Sequence, residues 1–415
     1  MTQLFPLKPV LLAMLKNKTG PLLVALQIAL SLAILSNALY LVNQRLSSSA
    51  RPSGIAQEEQ ILSVFVRNQK SGGHEQQLEM QKREEQLMRS VPGVQSVARV
   101  NSIPMSQSGS NNSFAADRRQ SSPTGNAAIY ISPGSLVKVW GLRLIDGRDF
   151  KEDEFQELDQ NTANNYPEVA IITKAMARTL FPEASSYAGK NFYFGTGDGA
   201  LQMRIIGVVD TLQSSGAQEG LSGDMSVLLP VRLTNDAYSG YVLRTAPGQR
   251  ERVQAEVEKA LRAASSEPLN IAIQTLTTIR ENRYRNEKGL SWMLLTVCGL
   301  LIVITASGIV GMCSLWVTQR TKQVGIRRAL GATRRHILMH FLTENLLISA
   351  LGVLLGCVLA LGLNQLLVTQ FDMRKLPLSY LLWSPLLFCL LGIAAALAPA
   401  WRAARIAPAT ATRSV

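Results

Sequence analysis

His336, His340 and Glu344 recur at every fourth position near the start of a long apolar run. That spacing stacks two imidazoles and a carboxylate on one helix face, a set that can begin a metal site. Zinc would still lack a fourth ligand, and the adjacent charges are the cations Arg334 and Arg335. We therefore expect interfacial histidines and no metal. Other chemistry is sparse. Gly189-Lys190 is followed by Asn191 and lacks the upstream glycine of a phosphate-binding loop, and the LSGD stretch at Leu221 has no nucleotide-binding context. His74 lies on a polar stretch and reads as a solvated histidine, and Glu84 with Glu85 as the wet face of a helix. No nucleophile–base set emerges, so we expect no catalytic residue and no cofactor bound by this chain.

The densest charge lies between two apolar runs. From Arg320 to Arg335 the chain carries Arg320, Lys322, Arg327, Arg328, Arg334 and Arg335 and no acid. On a helical wheel Arg327, Arg328, Arg334 and Arg335 share one arc, with Ile326, Leu330 and Ile337 on the other side. Gly331 falls among the arginines, where a missing side chain would let a partner approach. The expectation is an amphipathic surface helix. Glu344 lies just inside the following apolar run. A carboxylate at a bilayer centre costs roughly 2.5 to 3.5 kcal/mol, so it should pair with a nearby arginine or cap a neighbouring helix. Small residues recur at Gly308 and Gly311, and at Gly352, Gly356 and Ala360. They permit close helix packing, within the subunit or across a dimer.

These residues must be positioned by membrane helices. The chain has 415 residues, 47% of them apolar, with a net charge of +13 and a pI near 9.8. Four runs are long enough to span a bilayer: 21–42, 290–317, 338–368 and 380–401. The first is too long for a cleaved signal core and no A-x-A site follows it, so it reads as an anchor. Lys and Arg cluster at residues 1–20, 318–337 and 402–415, while the loop 369–379 holds only Arg374 and Lys375. By the positive-inside tendency both termini and the arginine segment are cytoplasmic, in a plasma membrane. The excess positive charge marks helix ends and does not call for nucleic acid. Residues 5–18 read as a short interfacial helix on the lipid surface.

Residues 43–289 then form one extracytoplasmic domain. Its length allows a core of its own, and all four cysteines, Cys298, Cys313, Cys357 and Cys389, lie inside the spans. Two strand–helix–strand units, 60–100 and 240–276, predict a split βαβ lobe. Between them, about residues 105–235, a β-rich lobe is inserted, with one helix near Lys174 to Phe181. Its Ser-, Asn- and Gly-rich opening, Ser106 to Asn126, reads as a disordered loop. The polar stretch from Thr277 to Lys288 should run as helix into the second span. The fold class is therefore a membrane protein with one plus three transmembrane helices and a large α+β domain.

The segment RTKQVGIRRALGATRRHILMHFLTENLL, Arg320 to Leu347, resembles the loop and following helix of MacB/FtsX-type ABC transporter permeases. Arg320, Gly325, Ile326, Arg327, Arg328, Ala329, Leu330, Gly331, Ala332 and Glu344 fall on that pattern. ISPGSLVKVWGLRLIDGRDF, AGKNF and RIIGVVDTL resemble motifs of the family's periplasmic core domain. Gln323 stands where the family usually has Glu. The resemblance implies a permease subunit with ATP and Mg handled by a separate ATPase. Its partners would be two ATP-binding subunits, a second permease chain, alike or different, and, in a two-membrane cell, an adaptor and an outer-membrane channel. Arg320 to Arg335 would be the ATPase-coupling element, and the work would be mechanotransmission, with peptides, antibiotics or similar compounds exported. The resemblance also admits lipoprotein release, or signalling to cell-wall hydrolases without transport.

Overall fold

A computed structural model describes residues 19–67, 72–162, 166–218, 220–234, 239–265, 268–371 and 375–405. The expected interfacial helix at 5–18 and the tail after Arg405 lie outside the described residues. The chain divides into two compact units, residues 1–49 with 287–415, and residues 50–286.

The first unit is built from helices α1 (Thr19–Ser49), the later part of α6 (Leu276–Gln319), α8 (Arg334–Phe371) and α9 (Leu378–Ala404). Each is long and apolar enough to cross a membrane. Packing rests on small residues and on a few polar bridges. A Cβ at Gly352 would come within 2.7 Å of the Ala25 carbonyl, and one at Gly356 within 3.0 Å of the Ala29 carbonyl. Ala360 is fully buried, and its carbonyl accepts from Asn37 Nδ2 at 3.1 Å. These three residues thus seat α1 against α8 inside one subunit. On α6, Gly308 faces the Gln27 side chain, which donates to the Ile304 carbonyl, whereas Gly311 has no neighbour within 4 Å. Ser31 and Thr305 hydroxyls bridge α1 and α6 at 2.8 Å, and Asn345 ties α8 to the Gly392 carbonyl of α9 at 2.8 Å. In hydrocarbon such bonds have no competition from water.

The second unit begins with β1 (Ile61–Arg67), α2 (His74–Ser90) and β2 (Val94–Arg99), and ends with β12 (Ser239–Thr245), α5 (Arg250–Ala264) and β13 (Asn270–Thr275). The four strands form an antiparallel sheet in the order β13-β1-β12-β2. Alternation along β1 explains the layering. Leu62, Val64 and Val66 face a core shared with Met88 of α2 and Val253, Val257 and Leu261 of α5. Ile61 faces the opposite side and a second core.

The inserted strands are β3 (Ser110–Ala115), β4 (Gly125–Ile131), β5 (Leu144–Gly147), β6 (Gln156–Asp159), β7 (Val169–Thr173), β8 (Asn191–Phe194), β9 (Leu201–Val209), β10 (Ser226–Leu229) and β11 (Val231–Thr234), with helices α3 (Leu136–Trp140) and α4 (Lys174–Leu180). Because β8 pairs with both β3 and β9, the ring β9-β7-β10-β4-β3-β8 closes into a small barrel. Period-two alternation again sorts its residues: Ala127, Ile129, Ala170, Ile172 and Val227 point inward, while Ala128, Tyr130, Ile171 and Leu228 join the core on the outside. Tyr130 packs edge-on against Trp140 of α3 and donates to the Gln213 carbonyl.

Three sequence expectations are corrected here. Ser106 to Asn126 is not a disordered loop throughout: Ser110–Ala115 is strand β3, paired antiparallel with β4. Its polar residues are spent on a barrel wall with an exposed start, so composition misled. Glu84 and Glu85 are buried, not wet. Glu84 accepts from Tyr241 Oη at 2.6 Å, and Glu85 pairs with Arg232 at 2.8 Å and Arg89 at 3.0 Å. Burial against Glu84 pushes the Tyr241 hydroxyl well above its ordinary range. His74 is half-buried at the start of α2, with Nδ1 bonded to Thr234 Oγ1.

Candidate coupling surface between the second and third membrane helices

Helix α6 ends at Gln319, and Arg320 sits at the N-terminal boundary of a short helix, α7 (Thr321–Ala329). α7 ends in a Schellman turn. The Gly331 amide donates to the Arg328 carbonyl and the Ala332 amide to that of Arg327. Gly331 has a φ of +97°, which a residue with a side chain adopts only at a cost. The glycine is therefore explained by the turn and not by the approach of a partner. The single arginine arc is also corrected. Arg327 and Arg328 end α7, whereas Arg334 and Arg335 open α8, so the turn breaks the wheel between the two pairs.

The inner side of α7 is apolar. Val324 is buried with Ile337 and Phe341 of α8 and Ala400, Ala403 and Ala404 of α9, and Gly325 is buried beside it. Ala332 packs against this cluster. The outer side carries Gln323, Arg327 and Ala329, all exposed, with Arg334 and Arg335 exposed at the start of α8. Ile326 and Leu330 are not on a buried face: they are 54% and 82% exposed. An apolar pair beside Arg327 is a surface suited to a partner with a matching apolar cleft and acidic rim.

Arg320 turns away from that surface. Its Nη1 donates to both oxygens of Glu344 at 2.7 and 2.9 Å, and Glu344 is buried on α8. The pair thus pins the junction of α6 and α7 to the third membrane helix. Of the four-residue repeat, Glu344 is engaged in this way, the His340 ring is set edge-on to Phe341, and His336 is exposed. Val324 was not singled out from the sequence. The signal was present as an apolar residue following Lys322 and Gln323, with part of its cluster far away in sequence on α9.

Two family descriptions match this chain. The MacB-like periplasmic core domain covers residues 22–260, and the FtsX-like permease C-terminal domain covers residues 295–408. The first alone spans more than half of the chain. The chain belongs to the MacB/FtsX-type permease family. Among family relatives, the macrolide export ATP-binding/permease protein MacB of Bdellovibrio bacteriovorus is 30% identical over 235 residues, 54% of this chain and 34% of that protein. The pyoverdine export ATP-binding/permease protein PvdT of Pseudomonas syringae pv. syringae is 26% identical over 284 residues, covering 66% and 41%. The chain thus spans about a third to two fifths of the length of these curated relatives. The solved periplasmic region of MacB from Actinobacillus actinomycetemcomitans is similar over 55% of this chain and 94% of that one, at 15% identity and a TM-score of 0.35. In this MacB/FtsX-type chain, α7 lies inside the FtsX-like match and the whole barrel inside the core-domain match.

Proposed function

We propose that this chain is the permease part of an ABC export system, in which α7 receives the motion of an ATP-hydrolysing partner. The observation that carries this reading is the surface of α7, where exposed Ile326 and Leu330 flank Arg327 on a helix clamped from behind by Val324 and Arg320. A clamped helix moves with its anchor, so a push on α7 is passed to α6 and α8. Helix α6 is continuous from Leu276 to Gln319, and its first turns belong to the core of residues 50–286. The work proposed is mechanotransmission, with ATP and Mg bound by two partner ATPase subunits and a second permease chain completing the complex. The segment 318–337 and both chain ends are assigned to the cytoplasmic side on their Lys and Arg content. The names of the relatives, macrolide export and pyoverdine export, support an export role. Peptides, antibiotics or similar compounds as cargo, and an adaptor and outer-membrane channel in a two-membrane cell, belong to the proposal itself.

The test is a pair of substitutions at exposed positions, Arg327→Glu with Leu330→Asp. In the reconstituted complex we expect permease-dependent ATPase stimulation to fall at least tenfold while the thermal midpoint of the isolated chain is unchanged. Full stimulation by the double variant would overturn the coupling reading.

A further inference from the structure

Within residues 50–286 a half-open cavity of about 1120 Å³ lies between the barrel mouth and the face of the four-stranded sheet turned from α2 and α5. We infer that this cavity is a binding site for an uncharged, peptide-like molecule, a chemistry neither family match assigns.

The floor is set by strand register. Phe65, Gly240 and Ala272 lie directly opposite one another on β1, β12 and β13, so all three share the face turned from α2 and α5. The Phe65 ring covers Gly240, where a Cβ would come within 3.0 Å of it. Gln274, two residues along β13, is on the same face. Phe194, Met203 and Leu229 line the barrel side. The loop 102–109 forms one wall, held open by positive φ at Met105 and Gln107 and by amides of those two residues donating to the carbonyls of Ser214 and Ser215.

Three features define the ligand. Among the described lining residues Arg283 is the one charged side chain, and it donates to the Gly216 and Ala217 carbonyls at 3.1 and 3.2 Å. The lining therefore holds no acid to meet a cationic ligand, and the one guanidinium an anionic ligand would need already has two backbone acceptors, so either charge would lose hydration on entry for little return. Its other polar side chains are serine hydroxyls, Asn and Gln amides and the Tyr166 hydroxyl, groups that both donate and accept, as a peptide backbone requires. Ala272 and Gln274 belong to β13, an edge strand of its sheet, the kind of border an extended peptide joins. The volume lies just above the roughly 300 to 1,000 Å³ of drug-sized pockets, enough for a short oligomer.

The opposite wall carries a consequence. Ile279, Asn282 and Arg283 come from the first turns of α6, so a ligand in the cavity touches the helix that continues into the second span. That the ligand is cargo or its reporter rests on the export reading; that it binds does not.

The experiment uses the full chain in detergent and equilibrium dialysis of a labelled, acetylated and amidated hexapeptide of Ser, Asn and Leu. Counterparts carrying Glu or Lys, and maltohexaose, serve as comparison probes. We expect saturable binding of the neutral peptide, weakened at least tenfold by Ala272→Trp and several-fold by Gln274→Ala, with each charged counterpart at least tenfold weaker. Absence of saturable binding, equal binding of the charged peptides or maltohexaose, or indifference to both substitutions would overturn the assignment. If Ala272→Trp lowers the melt, Gln274→Ala decides. Binding is read without the ATPase, so its failure leaves the coupling reading standing, and a failed coupling test leaves the site standing.

Discussion

A carboxylate carried on a membrane helix needs a cation or a water-filled route, and Glu344 has the cation. Arg320 lies 24 residues earlier, beyond the reach of any helical spacing rule, yet meets Glu344 with both carboxylate oxygens. Removing one partner of a buried pair leaves the other uncompensated, at about 3 to 5 kcal/mol. Arg320 is 21% exposed, so Glu344→Gln should cost somewhat less, about 2 kcal/mol. A thermal melt in detergent checks this, and the charge swap Arg320→Glu with Glu344→Arg should recover part of the loss. An unchanged melt for Glu344→Gln would show the pair to be passive. In the second unit, Arg148 forks onto Glu154 and, with the Lys151 amide, holds its carboxyl down from an ordinary 4.5 to about 2. A depressed carboxyl contributes stability that is complete above pH 4.5 and is lost as pH falls through about 2. Because Arg148 is 41% exposed, solvent screens the pair, and the contribution should be about 1 kcal/mol. Glu154→Gln should therefore narrow the gap to wild type between pH 5 and pH 2, followed by denaturant melts.

At the scale of elements, two glycines do different work. Gly331 closes α7 with a left-handed turn and nothing stands within 4 Å of where its Cβ would be. Gly331→Ala should cost about 1 kcal/mol from backbone strain alone, with the fold kept. Its effect should be concentrated on coupling, because the turn sets where α7 stops and α8 starts. Gly356 instead meets backbone: a Cβ would lie 3.1 Å from Ala29 Cα. Gly356→Leu must force α1 and α8 apart, and we expect loss of a single cooperative melt for the full chain in detergent. Gly311→Leu, with open space at its position, serves as the contrasting variant and should leave the melt unchanged. The opposite ranking would mean that α1 packs elsewhere.

At the scale of the whole molecule, residues 50–286 hold their own cores, and the first turns of α6 are part of them. Leu276, Ile279 and Tyr284 are buried there, while Arg280 forks onto Glu58 and bonds the Arg51 carbonyl. A soluble fragment 50–286 should therefore melt cooperatively, and one cut at Thr275 should melt lower or not cooperatively. Equal midpoints would show that the start of α6 adds nothing to the domain.

The four membrane helices and the split βαβ lobe were legible in the sequence because their signals are local: apolar run length, and strand–helix–strand periodicity repeated at both ends of the domain. The segment 318–337 was legible as a cationic stretch between two spans, and the start of α6 as a polar helix. What stayed hidden depends on partners far apart in the chain. Glu84 and Glu85 look solvated until Tyr241 and Arg232 arrive from the other end of the domain. Ser110–Ala115 looks like a loop until β4 and β8 supply its hydrogen bonds. Ile326, Leu330 and Ile337 look like one apolar side of a single helix until the Schellman turn at Gly331 separates α7 from α8, with Ile337 alone of the three buried. The cavity floor is likewise set by register, since Phe65 and Ala272 become neighbours only when β1 and β13 pair. Periodicity and hydropathy act over a few turns of chain and are written in the sequence; burial, ion pairing and enclosed volume arise between segments well separated along the chain, and only the tertiary structure decided them.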